Sequence, residues 1–211
     1  MTDLATLLVL SDSRLPTGGH VHSGGVEEAI TGGLVVDLTT LRAFLIRRVR
    51  THGLVSASIA AAVCSGSLAV ADADAETDAR TPSPAARTAS RAQGRGLARL
   101  ARRVWPDHDW ATLGAKPHLA VATGMVGAAA DLPPDQTALS VTYTTMTGSA
   151  TAAQRLLALD PGDVAALTFE LSALCEQTAS AAAKELADLS DPLLDVLAQR
   201  HVERDRPLFV S

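Results

Sequence analysis

Between Leu10 and Ile30 the chain reads LSDSRLPTGGHVHSGGVEEAI, with four glycines and one proline inside the ten residues from Pro16 to Gly25. Glycine reaches positive φ and lets other backbone come close, whereas proline fixes φ and ends helices. A short apolar run, Leu4–Leu10, precedes this stretch and a helix start follows it. Residues 11–25 are therefore expected to form a sharply shaped turn, because slack linkers are richer in serine and poorer in buried anchors. Gly18 and Gly19 are the positions where a Cβ is expected to obstruct that turn.

The rest of the chain carries helical signals. Hydrophobic residues make up 47% of the sequence but aromatic residues only 3%. Alanine and leucine supply the apolar content and are good helix formers, while the residues that favour strands are scarce. The expected fold is all-α, a single-domain bundle of about eight to ten helices over residues 1–211. Asp37 is placed to cap a helix with Leu38, Leu41, Leu45 and Val49 on one stripe, and Arg42, Arg47, Arg48 and Arg50 fall mainly off it. Leu54 to Cys64 is small and apolar all round, the mark of a buried helix. Residues 71–91 are polar and carry Pro82 and Pro84, which reads as a loop or a poorly packed helical segment. Ser83 and Pro84 suit the cap and first turn of a helix running to Val104. Further helices are expected over His118–Ala130 and about Ala138–Leu157. The longest is expected from Asp160-Pro161 onward, and a last one from Asp191-Pro192.

The formal net charge of −5 argues against general nucleic-acid binding, which needs a basic face for the phosphates. Cys64 and Cys175 form no CxxC pair and sit in apolar helical contexts, so both read as buried free thiols. No signal-like segment or run of about 18 apolar residues occurs, which points to the cytoplasm. The sequence holds no G-x-x-x-x-G-K-S/T phosphate loop, and its serines lack a nucleophile elbow. His20 and His22, if extended, face the same way and suit a borderline cation, although two imidazoles do not complete a site. Glu27 and Glu28 point about 100° apart on a helix and do not share a site; their charge in a first turn suits the helix dipole. Arg155, mid-helix between apolar neighbours, reads equally as a snorkelling side chain, an intrachain ion pair or a partner contact. The residues 205–211 end on apolar Leu208, Phe209 and Val210, and such a terminus either docks on its own domain or inserts into a partner.

Ser13, Leu15, Pro16, Gly18, Gly19, Ser23, Gly25 and Glu27 together resemble the N-terminal signature of the urease accessory protein UreF family. Arg155-Leu-Leu-Ala-Leu159 after Gly148-Ser-Ala150 is similar to the family's arginine-leucine helix. Pro192-Leu-Leu-Asp195, His201 and Leu208-Phe-Val-Ser211 are similar to its closing segment. The chain departs from the pattern at His20 and His22, where an aromatic pair is usual, at Ala158–Pro161 in place of P-L-G-Q, and at Pro207 in place of arginine. The resemblance implies a non-enzymatic scaffold, dimeric, that works with UreD (UreH) and the GTPase UreG on apo-urease. Nickel would be handled by that complex, with no cofactor held stably by this chain. It also implies partner-binding roles for Pro16, Gly18, Gly19, His20, His22, Ser23, Glu27, Arg155, His201, Leu208 and Phe209, with the tail inserting into UreD. A small helical metal-binding protein or metalloenzyme using His20 and His22, and a generic helical interaction module, remain the alternatives.

Overall fold

A computed structural model describes residues 4–17, 19–204 and 208–209, except for the side chain of His20. Gly18, that imidazole, Pro207, Val210 and Ser211 thus lie outside the described residues. Eleven α-helices occur among the described residues and no strand does: α1 Leu4–Leu10, α2 Val26–Thr31, α3 Leu38–Arg48, α4 Leu54–Cys64, α5 Val70–Ala79, α6 Pro84–Val104, α7 Leu119–Ala129, α8 Pro134–Leu157, α9 Pro161–Glu170, α10 Ser172–Ala182 and α11 Pro192–Val202. A π-helical turn, Val49–Gly53, joins α3 to α4 without a break in helical backbone. Eleven helices thus form ten rods.

The predicted caps are the observed ones. The Asp37 carboxylate accepts from Thr40 N at 2.8 Å and starts α3. Ser83 Oγ accepts from Ala86 N at 3.2 Å with Pro84 in the first turn of α6. Asp160 and Asp191 cap α9 and α11 ahead of their prolines. Each supplies an acceptor for backbone N–H groups that the helix cannot satisfy itself.

The buried α4 crosses the centre of the molecule, packing against α7, α8 and α10. Its alanines 57, 60 and 61 are buried, which brings the neighbouring helices close. One apolar cluster joins α2, α3, α8, α9, α10 and α11 through Val26, Leu41, Leu45, Met146, Leu167 and Leu197. A second joins α4 to α7 through Ile59, Leu97, Val121 and Val126, and it closes over Trp110 and Leu113.

One expectation resolves in favour of an alternative and another needs correcting. The polar segment 71–91 is helical and not a loop, but it is not poorly packed: α5 fills its first half and α6 begins in its second. Its charges are consumed between helices. Arg91 bridges Asp74 at 2.8 Å and Asp78 at 2.7 Å, and His118 Nε2 bonds Asp78 at 2.9 Å while its Nδ1 meets Ser90 Oγ at 3.0 Å. Polarity that looked like solvation is a network tying α5, α6 and α7 together. The helix expected to be longest instead divides at Leu171, so that α9 packs on α3 and α8 while α10 packs on α4 and α8. The longest is α8, with 24 residues. Cys175 is buried and free, its thiol pushed up to about 11 by burial; Cys64 is free and half-buried. No helix among the described residues is long and apolar enough to cross a membrane.

Candidate functional site

Three segments far apart in sequence meet at one end of the bundle: the glycine-rich turn with α2, the C-terminal half of α8, and the tail after α11. The turn is anchored first. Asp12 accepts from Arg14 N at 2.8 Å and pairs with its guanidinium at 2.6 Å, which pulls the Asp12 carboxyl down to about 2. Exposed Pro16 follows, and then a 3₁₀ turn, Gly19–Val21. Farther on, buried Ser23 offers its carbonyl to Ser149 Oγ at 3.1 Å, fastening the turn to α8.

Of the expected pair, Gly18 lies outside the described residues and Gly19 is not where a Cβ is obstructed. A Cβ on Gly19 would meet only Thr17 Oγ1 at 3.5 Å and Gln93 Oε1 at 3.8 Å, ordinary contacts, and its φ is not positive. Gly24 and Gly25 have φ of +63° and +87°, and a Cβ on Gly24 would lie 2.5 Å from Arg48 Cζ. The left-handed backbone disfavours any side chain there, and the guanidinium packed on it would have to move to admit one. Gly24→Val is therefore expected to cost about 1–3 kcal/mol of stability, and Gly19→Val less than about 1 kcal/mol. Urea denaturation of the two variants checks this; equal costs would contradict it.

His22 is half-buried beside a cleft of about 450 Å³, and its amide donates to Gly19 O at 3.1 Å. The 3₁₀ turn replaces the extended geometry that would have aimed His20 and His22 the same way. Among the described residues the one group of three metal-type ligands is Asp74, Asp78 and His118, which does not include His22. Arg91 already sits on both of those carboxylates.

Glu27 and His201 form the centre of the convergence. Their side chains are 3% and 1% exposed, and His201 Nε2 lies 2.8 Å from Glu27 Oε2. The same carboxylate accepts from Leu208 N at 2.8 Å and Phe209 N at 3.1 Å. Burial alone would raise the Glu27 pKa. The bonds from His201 and from the two amides outweigh it and hold the carboxyl below its ordinary 4.5. Phe209 is 7% exposed, and the Arg155 guanidinium lies over its ring at 5.4 Å, within cation–π range. Glu28 makes a separate pair with Arg204 at 3.1 Å.

This corrects the picture of the tail. The sequence leaves the tail to dock on its own domain or on a partner, and the resemblance favours the partner. The structure docks Phe209 on the chain's own core, because Glu27 supplies the acceptor that two terminal amides need. Leu208 faces outward, 79% exposed. Among the expected site residues, Ser23, Glu27, Arg155, His201, Leu208 and Phe209 thus converge, with Gly19 and His22 beside the cleft that Arg155 and Phe209 also line. Sequence reasoning missed Arg48, which lines the same cleft, and Asp191, whose carboxylate takes both Arg47 Nε and Nη2 at 2.7 Å. Among the arginines of α3, Arg42 and Arg47 pair with Glu170 and Asp191 whereas Arg48 packs against Gly24, and no spacing in the sequence signals the difference.

Fold and site together define an all-α protein built around a docked tail and a large lateral cleft. A sequence profile of the UreF family matches residues 35–172. The chain is 78% identical over 211 residues, the full length of both chains, to the urease accessory protein UreF of Mycobacterium sp. strain JLS. It is 78% identical over 214 aligned positions to that of Mycolicibacterium vanbaalenii and 71% identical over 211 residues to that of Mycobacterium tuberculosis strain H37Ra, again covering all of each chain. The chain belongs to the UreF family, which is a family of accessory proteins and not of enzymes.

Proposed function

We propose that this protein is a scaffold in urease maturation that, together with UreD (UreH) and the GTPase UreG, enables nickel to enter the metallocentre of apo-urease. The observation that carries the reading is 78% identity over the full length of proteins named urease accessory protein UreF. The convergence of the three resemblance motifs at one end of the bundle supports it, since a presenting surface needs its parts on one face. In this reading the chain acts in the cytoplasm as a homodimer, which gives the assembly a two-fold axis. Nickel is cargo of the complex, and this chain holds no stable cofactor. Its own contribution is steric: it orients the GTPase and influences when GTP is hydrolysed.

Within that assembly Phe209 is the internal fastening and Leu208 the contact offered to UreD. The docked ring sets the direction in which Leu208 points, and an exposed leucine at a fixed position makes an anchor for an apolar pocket. The isolated chain is expected to bind no GTP, because its sequence has no phosphate loop. Equilibrium dialysis with labelled GTP checks this, and stoichiometric binding without a partner would contradict it. The proposal as a whole is tested by co-expression with UreD and UreG, asking whether the three proteins co-purify and whether urease made alongside them carries nickel.

A further inference from the structure

Helix α6 holds six of the chain's 18 lysines and arginines and none of its 23 aspartates and glutamates. Two of the six are spent inside the fold: Arg87 and Arg91 pair with Asp78, and Arg91 also with Asp74. Arg102 turns its guanidinium to Leu113 O at 3.1 Å. Arg95, Arg99 and Arg103 are exposed, and their side chains form no ion pair or hydrogen bond among the described residues. They stand four residues apart and so line one face of the helix over about 12 Å. Glycines fix which face that is. A Cβ on Gly94 would collide with Pro117 O, and one on Gly96 would lie 3.0 Å from Thr17 Cα, so α6 is pressed against both backbones and its roll is set. Leu97, Ala98 and Ala101 fill the second apolar cluster from the same inward side.

Solvation alone does not call for this pattern. Like charges four residues apart destabilise a helix by about as much as opposite charges stabilise it. The helix dipole accounts for a cation in the last turn, at Arg103, but its effect does not reach Arg95 and Arg99. The stripe is a positive island on a protein of net charge −5. Its spacing selects the partner. A helix whose carboxylates stand four residues apart matches it and can lie alongside α6 with a carboxylate at each guanidinium. Val104, 53% exposed at the end of the stripe, adds an apolar contact. Nucleic acid fits less well: three arginines neutralise few phosphates, and exposed Asp107 and Asp109 directly after the helix repel a long polyanion.

We propose that the outer face of α6 is a docking surface for an acidic helix of a partner protein, with Arg95, Arg99 and Arg103 as its charge contacts. No part of this depends on which assembly the chain serves.

The test uses the full chain and a capped peptide of about 20 residues, long enough to hold a helix, with glutamates four residues apart on one face. Its twin with glutamine at those positions and a DNA duplex serve as comparisons at matched ionic strength. In arginine-labelled wild-type protein the Nε–H resonances of Arg95, Arg99 and Arg103 are expected to move saturably with the glutamate peptide and far less with the twin. Added salt is expected to reverse the shift. The triple variant Arg95→Gln, Arg99→Gln, Arg103→Gln is expected to bind the peptide about tenfold or more weakly. It is expected to melt no lower than wild type, since it loses no partner and sheds the repulsion. Unmoved resonances, equal shifts with the twin, undiminished binding by the triple variant, or a lower melting temperature that assigns these arginines to the fold would overturn the proposal. So would tighter binding of the duplex, or shifts produced by raising the protein concentration alone, which would make a second copy the occupant.

Discussion

Glu27→Ala is expected to remove about 3–5 kcal/mol of stability, because three donors lose their shared acceptor and a buried donor left unpaired costs about 1–3 kcal/mol. The size follows from what the carboxylate holds. His201 would be left buried with its Nε2 facing a void, and Leu208 N and Phe209 N would lose their acceptor. For a chain of this length the loss corresponds to roughly 6–20 °C in melting temperature. Hydrogen exchange at Leu208 and Phe209 should rise at the same time, because both amides bond to this carboxylate. A loss below about 1 kcal/mol, or unchanged protection of those amides, would show that the latch contributes little. Acid should act on the same group. The folded-state pKa of Glu27 lies below its ordinary 4.5, so its contribution is complete above that value and is lost as pH falls through the folded pKa. Asp78 and Asp191 are also held low and titrate in the same sense, whereas Asp195 is raised by burial and runs the other way. The informative quantity is therefore the difference between wild type and Glu27→Gln, which should shrink as pH falls below the ordinary 4.5 and through the lowered folded-state pKa.

Leu208→Asp is expected to weaken binding to UreD about 10- to 150-fold while leaving the chain's own melting temperature unchanged. An apolar side chain of this size gains about 1.5–3 kcal/mol on full burial, and each 1.4 kcal/mol is about a factor of ten. Being 79% exposed, Leu208 makes little contact that its own fold would lose. Phe209→Ala should behave differently. It empties a site inside the apolar cluster that includes Val26, Leu197 and Ala152, and it removes the ring beneath Arg155. The tail should then detach, giving both a smaller loss of stability than Glu27→Ala and a weaker grip on UreD. Titration calorimetry and thermal melts on the two variants separate these outcomes. If Leu208→Asp binds UreD as well as wild type does, the outward leucine is not the contact assigned to it.

Much of the fold could be read from local chemistry. The α4 bounds follow from an unbroken small apolar run ended by Ser65-Gly66, and the starts of α3, α6 and α11 follow from Asp37, Ser83-Pro84 and Asp191-Pro192. Helix α5 was legible only as one of two alternatives, because its acidic residues look solvated until Arg91 and His118 are brought to them from α6 and the start of α7. The division at Leu171 is set by which helices lie on either side, and no local breaker marks it. The site was legible as motifs but not as contacts. Glu27 and His201 are 174 residues apart, and the helix dipole already explained a glutamate in a first turn. The tail's apolar character was plain, yet its destination depended on an acceptor that only the fold places. Arg48 looked like its solvent-facing neighbours Arg47 and Arg42 because burial against Gly24 leaves no periodic trace.

The central claim is that this chain is needed for nickel to reach urease and that it acts through the face built from α2, α8 and the tail. Urease nickel content in cells lacking the chain, complemented with wild type or with Leu208→Asp, tests it most directly. The account predicts nickel-loaded, active urease with wild type, little nickel without the chain, and a marked loss with Leu208→Asp despite normal amounts of folded protein. Equal nickel content with and without the chain would contradict it.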